Sequence, residues 1–542
     1  MESDKMGLVY FLNIWSKKFR IRFNCKQLLT KPIVYVIIDK IIVRRFIMNQ
    51  LKKTAALVLV LAMVLPLVVA CGMTGGNNNN SKPGSFTETD TVVPNDVTFP
   101  GETFTILCRE DNAWGQYLHE IAADEDATEL VNEMVYKRNL EVEERFELEE
   151  LKAFAIPGQW DAYQDFINTF RNSILANSSS YDLIMSQQAY MALDPSLNDL
   201  YTNFYDLPYI KDNLDAPYYY QEVIDNMSIN GKLYFLLGDY SLTYWEFAYV
   251  LYFNKVMAEN NNLEDIYQLV RDGEWTYDKM VEMAKGKWSD LNGDLYPDES
   301  DSFGYITEIP NTTDALDAHF RCSLASKNEF GEIEFNVDQG KMVSILEKFI
   351  DFKKTDDTWM VYFGSEVTVD QNPVDKIFRE GRSLFYHATL NRAQEFRGME
   401  TDFGIVPYPK WNKEQDGYYT HAQDGFSVAV VPIDAKNKEM SGAVLDVLSA
   451  ISNKTVIPAY YDMALKDKYS RDDQSAEMLD IIREGFTLSF SYFYQQALDC
   501  CGVYRELIRQ ENSNFVSYYA VQQKGYERRL KKLMEAYADK AE

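Results

Sequence analysis

Short apolar runs alternate with polar turns and with longer stretches of helical period along most of this chain. Phe104–Cys108 (FTILC) is an apolar run bounded by polar residues and predicts a strand. Residues 127–146 put Val131, Val135, Arg138 and Val142 on one face at three- and four-residue steps, which predicts a helix. Residues 147–152 read as a second strand. Residues 162–176 read as a second helix, with Phe166, Phe170 and Ile174 spaced by four, and Tyr181–Met185 (YDLIM) as a buried third strand. This order is the signature of a parallel α/β layer, because a crossover helix is what returns the chain to begin a parallel strand.

The pattern continues less regularly. Lys232–Leu237 (KLYFLL) and Phe247–Phe253 (FAYVLYF) predict strands, and Thr276–Lys285 a helix with Thr276 as its N-cap. Further strands are expected at Ser383–Tyr386, Phe403–Pro409 and Phe426–Val431, and a helix at Gly442–Ile451. The C-terminus predicts an amphipathic helix, with Leu530, Met534 and Tyr537 opposite Arg528, Arg529, Lys531 and Lys532. No internal repeat is visible.

Before the first strand the pattern changes. Met48 is followed by Lys52 and Lys53, an apolar stretch from Ala55 to Leu65, and a small-residue end at Val69-Ala70. That is a secretory signal pattern, too short for a spanning helix. Leu67–Cys71 resembles a bacterial lipobox, which implies cleavage before Cys71 and lipidation of its thiol. Residues 72–85 are rich in Gly, Asn and Ser and read as a flexible tether. The expected organisation is therefore an extension at 1–47, a signal peptide at 48–70 and a tether at 71–98. Met48 fits as the true start, which makes 1–47 an over-extended reading of the gene; the alternative is an additional membrane-associating segment.

Charge sharpens this division. The net charge is −29, yet residues 1–47 carry ten Lys/Arg against three Asp/Glu and Lys52 and Lys53 add two more, which leaves −38 from Cys71 onward. Such an acidic body repels phosphate backbones, so nucleic acid is not an expected partner. Aromatic residues make up 14% of the chain, with 37 Tyr, more than a core alone calls for and suited to a wet binding surface. Of six cysteines, Cys108, Cys322, Cys500 and Cys501 fall in the mature body, which is no disulfide framework.

Catalytic signatures are missing. The four histidines (His119, His319, His387, His421) show no metal-ligand spacing, and neither a G-x-S-x-G elbow nor a phosphate-binding G-x-x-x-x-G-K-[ST] loop occurs. A glycosidase needs only two carboxylates, so a secreted carbohydrate-active enzyme stands as the alternative reading. One acidic stretch has cation-binding spacing: Asp290, Asn292, Asp294, the Tyr296 carbonyl, Asp298 and Asp301 occupy positions 1, 3, 5, 7, 9 and 12 of a calcium loop. Leu295 replaces its usual Gly and Asp301 its bidentate Glu. A calcium ion there would be structural, and no other cofactor is required.

Several stretches occur in a telling order: Tyr181-Asp182-Leu183-Ile184, Gly231–Leu237 (GKLYFLL), Tyr252-Phe253-Asn254-Lys255, Gly273–Lys279 (GEWTYDK), Ser289–Asp294 (SDLNGD), Gly381–Phe385 (GRSLF) and Phe403–Lys410 (FGIVPYPK). Together, over roughly residues 100–540, they resemble the family 1 extracellular solute-binding proteins of ABC importers, especially lipoproteins of Gram-positive anaerobes. The resemblance implies an α/β, two-lobed periplasmic-binding-protein-like type II fold with a ligand cleft at the hinge. Lobe one would hold 99–247 and 426–475, and lobe two 248–425 and 476–542. It also implies a monomer, anchored by lipid on the extracellular face, that captures a sugar or oligosaccharide and meets ABC permease subunits. A ligand-sensing co-receptor is the other binding role open to such a chain.

Ligands of open α/β sheets sit at the carboxyl ends of strands, and sugar sites pair stacking aromatics with planar polar groups. The candidates are Asp111, Asn112 and Trp114 after the first strand, and Gln187, Gln188 and Tyr190 after the third. Asp239, Tyr244, Trp245 and Glu246 lie near the expected crossover, and Tyr386, Arg392 and Asp424 in the return segment.

Overall fold

In the computed structural model of the protein, residues 86–87, 90–112, 116–362, 372–466, 473–500 and 502–538 are described. Cys71, the signal and tether stretches up to residue 85, Trp114 and Cys501 lie outside them.

Eleven strands are present among the described residues: β1 Thr103–Arg109, β2 Glu150–Ile156, β3 Leu183–Gln187, β4 Tyr249–Asn254, β5 Phe303–Glu308, β6 Ser326–Lys327, β7 Ile333–Glu334, β8 Thr358–Val361, β9 Ser383–Thr389, β10 Phe403–Val406 and β11 Ser427–Val430. A first sheet has the order β11-β3-β1-β2, a second β10-β4-β9-β5-β8, and β6 and β7 form a small ribbon. In the first sheet β1 runs parallel to β2 and β3, with Leu107 opposite Ile184, while β11 returns antiparallel. In the second, β5 is parallel to β8 and β9, and β4 is antiparallel to β9 and β10. The result is a mixed α/β architecture whose parallel strands are joined by helical crossovers.

The Leu130–Phe146 helix shows why the pattern was readable. Val131, Val135, Val142 and Phe146 are buried on its inner face, each such side chain contributing roughly 1.5–3 kcal/mol of burial. Arg138 sits on the same buried face because its guanidinium is satisfied by the Glu120 carbonyl (2.9 Å) and Ser452 Oγ (3.2 Å). Thr276 caps the Tyr277–Ala284 helix as expected, its hydroxyl accepting from Lys279 N–H. The buried apolar side chains of both sheets form one continuous core.

Three expectations need correction. The second strand runs over 150–156, not 147–152, because Glu147 ends the preceding helix in a left-handed turn (φ 56°) and residues 148–149 complete that turn. Lys232–Leu237 is mostly buried but is not a strand: its pairing with the first sheet is an isolated bridge from Leu236 to Ala429. The packed body begins before residue 99, since Thr91 donates to Asp446 (2.6 Å), Asp90 pairs with Lys454 and Val93 is buried.

The ordered stretches of the sequence turn out to touch one another. Trp275 of GEWTYDK donates its indole N–H to the Pro407 carbonyl of FGIVPYPK (3.1 Å). Asn254 of YFNK caps the Lys255–Asn260 helix and donates to the Gly381 carbonyl of GRSLF (3.0 Å). At Gly304 on β5 a Cβ would collide with the Ala284 carbonyl, so only glycine lets strand and helix approach there. No helix among the described residues is long and apolar enough to cross a membrane.

Candidate functional site

The chain leaves the first sheet at Phe247–Tyr249 and returns to it at His421–Gly425. These two crossings pair with each other: Ala248 and Ala422 form an antiparallel bridge, Tyr249 N–H donates to the His421 carbonyl (3.1 Å), and Gln423 N–H to the Phe247 carbonyl (2.9 Å). The carboxyl ends of β1, β2 and β3 and the start of β11 lie at one end of the first sheet, where Ser427 faces Gln187. The start of β4 and the end of β9 meet in the second, where Tyr249 faces Thr389.

Arg109, the last residue of β1, joins the first sheet to the return crossing. Its guanidinium donates to the Gly425 carbonyl and to Gln187 Oε1 (3.2 Å), and lies 3.8 Å over the Tyr117 ring. It is 2% exposed, so it holds the crossing in place and presents no free face to a solute. Asp111 caps the next turn, accepting from the N–H groups of Tyr117 (2.6 Å) and Leu118 (2.8 Å). Gln187 is half-buried beside Arg109, and Asn112 is half-buried on the adjoining loop.

Tyr190 anchors an aromatic ladder. It is fully buried and bonded to Ser186. Tyr163 stacks on it (5.9 Å, 24°), and Trp160 stacks on Tyr163 (5.1 Å, 25°). Trp160 is 51% exposed, so the ladder ends in an aromatic face open to solvent at the carboxyl end of β2. Gly158 makes room for it: a Cβ there would lie 2.8 Å from Arg109 Cγ and 3.0 Å from Tyr190 Oη. A second strand ending at Lys152 does not bring Trp160 and Tyr163 to a strand end, so the sequence does not single them out. Carrying the apolar run through Ile156 to the Pro157-Gly158 breaker would have placed them at a strand end.

The other candidates divide. Gln188 is buried, its amide N–H donated to the Phe493 carbonyl. Asp239 is buried in a hub with Tyr220 Oη (2.8 Å), Asn453 Nδ2 (2.7 Å) and Arg483 Nη2 (3.3 Å). Tyr244 and Trp245 pack around Phe486 at centroid distances of 5.0 and 4.9 Å. Glu246 pairs with His119 Nε2 at 3.0 Å, and against the burial that would lower it this carboxylate raises His119 to about 9. Tyr386 is core, its hydroxyl donated to Asp375 (2.6 Å), and Arg392 pairs with the same carboxylate at 3.5 Å. Asp239, Tyr244, Trp245, Glu246 and Tyr386 are buried and Arg392 is half-buried, so these six serve packing and internal pairing.

Asp424 sits on the return crossing, accepting from the Gln423 (2.8 Å) and Gln495 (3.4 Å) amides. Burial and the nearby Asp314 carboxylate push it up to about 6, with Arg505 and Arg109 opposing. Three of the four histidines gather under the crossing. His319 Nε2 lies 3.3 Å from His387 Nε2, His319 Nδ1 2.7 Å from the Tyr419 carbonyl, and His421 Nε2 3.1 Å from the Asp314 carbonyl. Burial lowers His319 and His421 to about 3 and His387 well below its ordinary value. Neutral imidazoles therefore fill this space.

The acidic loop closes on itself. Asp290 accepts from the N–H groups of Gly293 (2.6 Å) and Leu295 (2.9 Å), Asp294 from Tyr296 N–H (2.8 Å), and Asp298 from Ser300 N–H (2.7 Å), while the Asn292 amide reaches both Asp294 and Asp298. Leu295 takes the left-handed conformation (φ 67°) that favours the expected glycine. Asp301 is fully buried, accepting from Leu291 N–H (2.9 Å) and the Trp288 indole (3.1 Å). Among the described residues no three His, Cys, Asp or Glu side chains gather as a metal site would require.

No family model matches this chain, and no curated protein does. Solved structures resemble it in outline. A Thermotoga maritima MalE3 with maltose bound is 14% identical, covering 80% of this chain and 99% of its own at a TM-score of 0.45. An ABC-transporter solute-binding protein from Agrobacterium radiobacter in complex with ribitol is 12% identical, covering 79% and 99% at 0.48. An ABC substrate-binding protein from Listeria monocytogenes in complex with cycloalternan is 12% identical, covering 81% and 100% at 0.45.

Proposed function

We propose that this chain is an extracytoplasmic solute-binding protein of the family 1 type, which captures a sugar or oligosaccharide and delivers it to an ABC importer. The observation that carries this reading is the Trp160–Tyr163–Tyr190 ladder, an exposed stacking face at the carboxyl ends of parallel strands, next to the half-buried amide of Gln187. A pyranose presents an apolar face to such an indole and hydroxyls to planar amides. The paired crossings at Ala248 and Ala422 supply two short connections about which the two sheet regions would close on a bound solute. In this reading those crossings divide the two lobes, the solute is released unchanged, and permease subunits read the closed form.

Cys71 would carry the lipid that holds the protein, as a monomer, at the outer membrane surface, with the following polar segment as tether. Replacing Cys71 by Ser should release the protein into the medium. Calcium at the Asp290–Asp301 loop would require its carboxylates to turn from their backbone N–H partners toward one point. The binding role is tested by thermal unfolding against a panel of mono- and oligosaccharides: a ligand that binds only the native state must raise the melting temperature. A panel without a single stabilising sugar would remove the reading.

A further inference from the structure

The C-terminal helix, Phe515–Ala536, buries Phe515, Tyr519, Tyr526, Leu530 and Leu533 against the body. Its outer side carries Val521, Lys524, Arg528, Lys531 and Lys532 at three- and four-residue steps, so they share one strip, and all five are exposed. Five Lys/Arg fall within residues 524–532. Arg529 is paired with Asp499. Among the described residues no carboxylate pairs with Lys524, Arg528, Lys531 or Lys532. Glu527 and Glu535 flank the strip, Glu527 accepting from the Gln523 amide (2.9 Å), and four cations against two acids leave it positive.

This is unusual for the chain. From Cys71 onward it carries −38, and exposed lysines elsewhere are drawn to acids, Lys279 to Glu264, Lys348 to Asp278 and Lys436 to Glu102. An unpaired basic strip on such a body attracts an anionic partner while most of the remaining surface repels it, so the contact would also orient the protein. A second copy of so acidic a chain is disfavoured by the same repulsion. A second observation concerns apolar surface. Val516 and Val521, on the turns before the basic residues, are 49% and 79% exposed. Three of the four free cations are Lys, point charges on flexible stems that do not need the fixed carboxylate geometry an Arg fork rewards. A bilayer surface offers what both observations call for, anionic headgroups for the ammonium groups and the acyl boundary for the valines. We propose that the outer face of the C-terminal helix rests on an anionic lipid surface. The contact is separate from sugar binding and from a lipid on Cys71.

Amine acylation of the whole protein, read lysine by lysine by mass spectrometry, tests it. The probes are vesicles of phosphatidylcholine and vesicles of phosphatidylcholine mixed with phosphatidylglycerol. Attachment through Cys71 or the apolar residues before it is common to both, so the comparison reads the helix. On the anionic vesicles Lys524, Lys531 and Lys532 should react about threefold or more slowly relative to the exposed Lys413, and in ~0.5 M salt the difference should vanish. Lys531→Glu combined with Lys532→Glu should remove the protection of Lys524 and leave the melting temperature within about 1 °C, since both positions are exposed. Equal rates on the two kinds of vesicle would overturn the proposal. So would protection that appears without vesicles as protein concentration rises, which would assign the strip to a second copy, or protection confined to membranes that hold permease subunits, which would assign it to a protein. None of these results changes the outcome of the sugar panel.

Discussion

Trp160 lies flat against Tyr163, ring centroids 5.1 Å apart and planes 25° from parallel, and leaves half of its own surface to solvent. The contact places an indole face at the end of β2 while Tyr163 and Tyr190 carry it back into the core. An aromatic held this way is oriented before any solute arrives, so little side-chain freedom is lost on binding.

Trp160→Ala should therefore weaken sugar binding by about 3–10-fold, the range expected for a stacking pair worth roughly 0.5–1.5 kcal/mol. The free protein should unfold within about 1 °C of the unaltered chain, since surface positions carry little stability. Calorimetric titration and thermal unfolding of the same preparation read both. Unchanged affinity would move the binding face elsewhere.

Arg109 should behave oppositely. Its guanidinium serves Gly425 and Gln187 and covers Tyr117, so Arg109→Leu strands buried acceptors and should cost about 2–4 kcal/mol in urea unfolding. Stability within about 0.5 kcal/mol of the unaltered chain would show that the crossing is held by other contacts.

The histidine cluster predicts an acid-sensitive fold. Burial lowers His319 and His421 to about 3 and His387 well below its ordinary value, whereas an unfolded imidazole takes its proton near 6.5. From pH 6.5 down to 3 the unfolded state thus binds more protons and stability falls, by about 1.4 kcal/mol per pH unit for each imidazole. Buried carboxyls work against this: Asp424, held at about 6, takes its proton earlier in the folded state. His421→Asn removes one imidazole from the sum, so its stability should fall less steeply between pH 6.5 and 4.5. Parallel pH profiles would contradict the assignment.

The acidic loop offers a separable pair of variants. Asp301→Ala should destabilise the protein with or without calcium, because the buried carboxylate accepts from Leu291 and from Trp288. Asp298→Ala removes a half-buried carboxylate that accepts from Ser300 N–H and the Asn292 amide; it should cost the chelator-treated protein less than Asp301→Ala does, and should abolish any difference between calcium and chelator. Identical melting curves with calcium and with chelator would show that the loop stands on its amide bonds alone.

Legibility differed by element for physical reasons. The Leu130–Phe146 helix was visible because its buried face repeats at helical period, and β1, β3 and β11 because they are short apolar runs, β3 and β11 buried on both faces, bounded by polar residues. Thr276 was visible because its hydroxyl bonds locally, three residues ahead. β2 was misplaced by a left-handed turn at Glu147 that no apolar period announces. The extended Lys232–Leu237 segment carries strand-like residues but pairs only through isolated bridges, Lys232 with Ile229 and Leu236 with Ala429. Most candidate side chains at strand ends, such as Tyr190, Tyr244 and Tyr386, proved to be buried supports: an aromatic at a strand end reads alike whether it faces solvent or core. The His319–His387–His421 cluster and the Asp314–Gln495 region come from distant parts of the chain and leave no local spacing to read.

A solute-binding role means capture without turnover. It is read by calorimetric titration of the protein with a stabilising sugar, followed by chromatography of the recovered sugar. Saturable binding of one sugar per chain and recovery of that sugar intact are expected. Cleaved or altered sugar would make the chain an enzyme, and the absence of saturable binding would remove the solute-binding role.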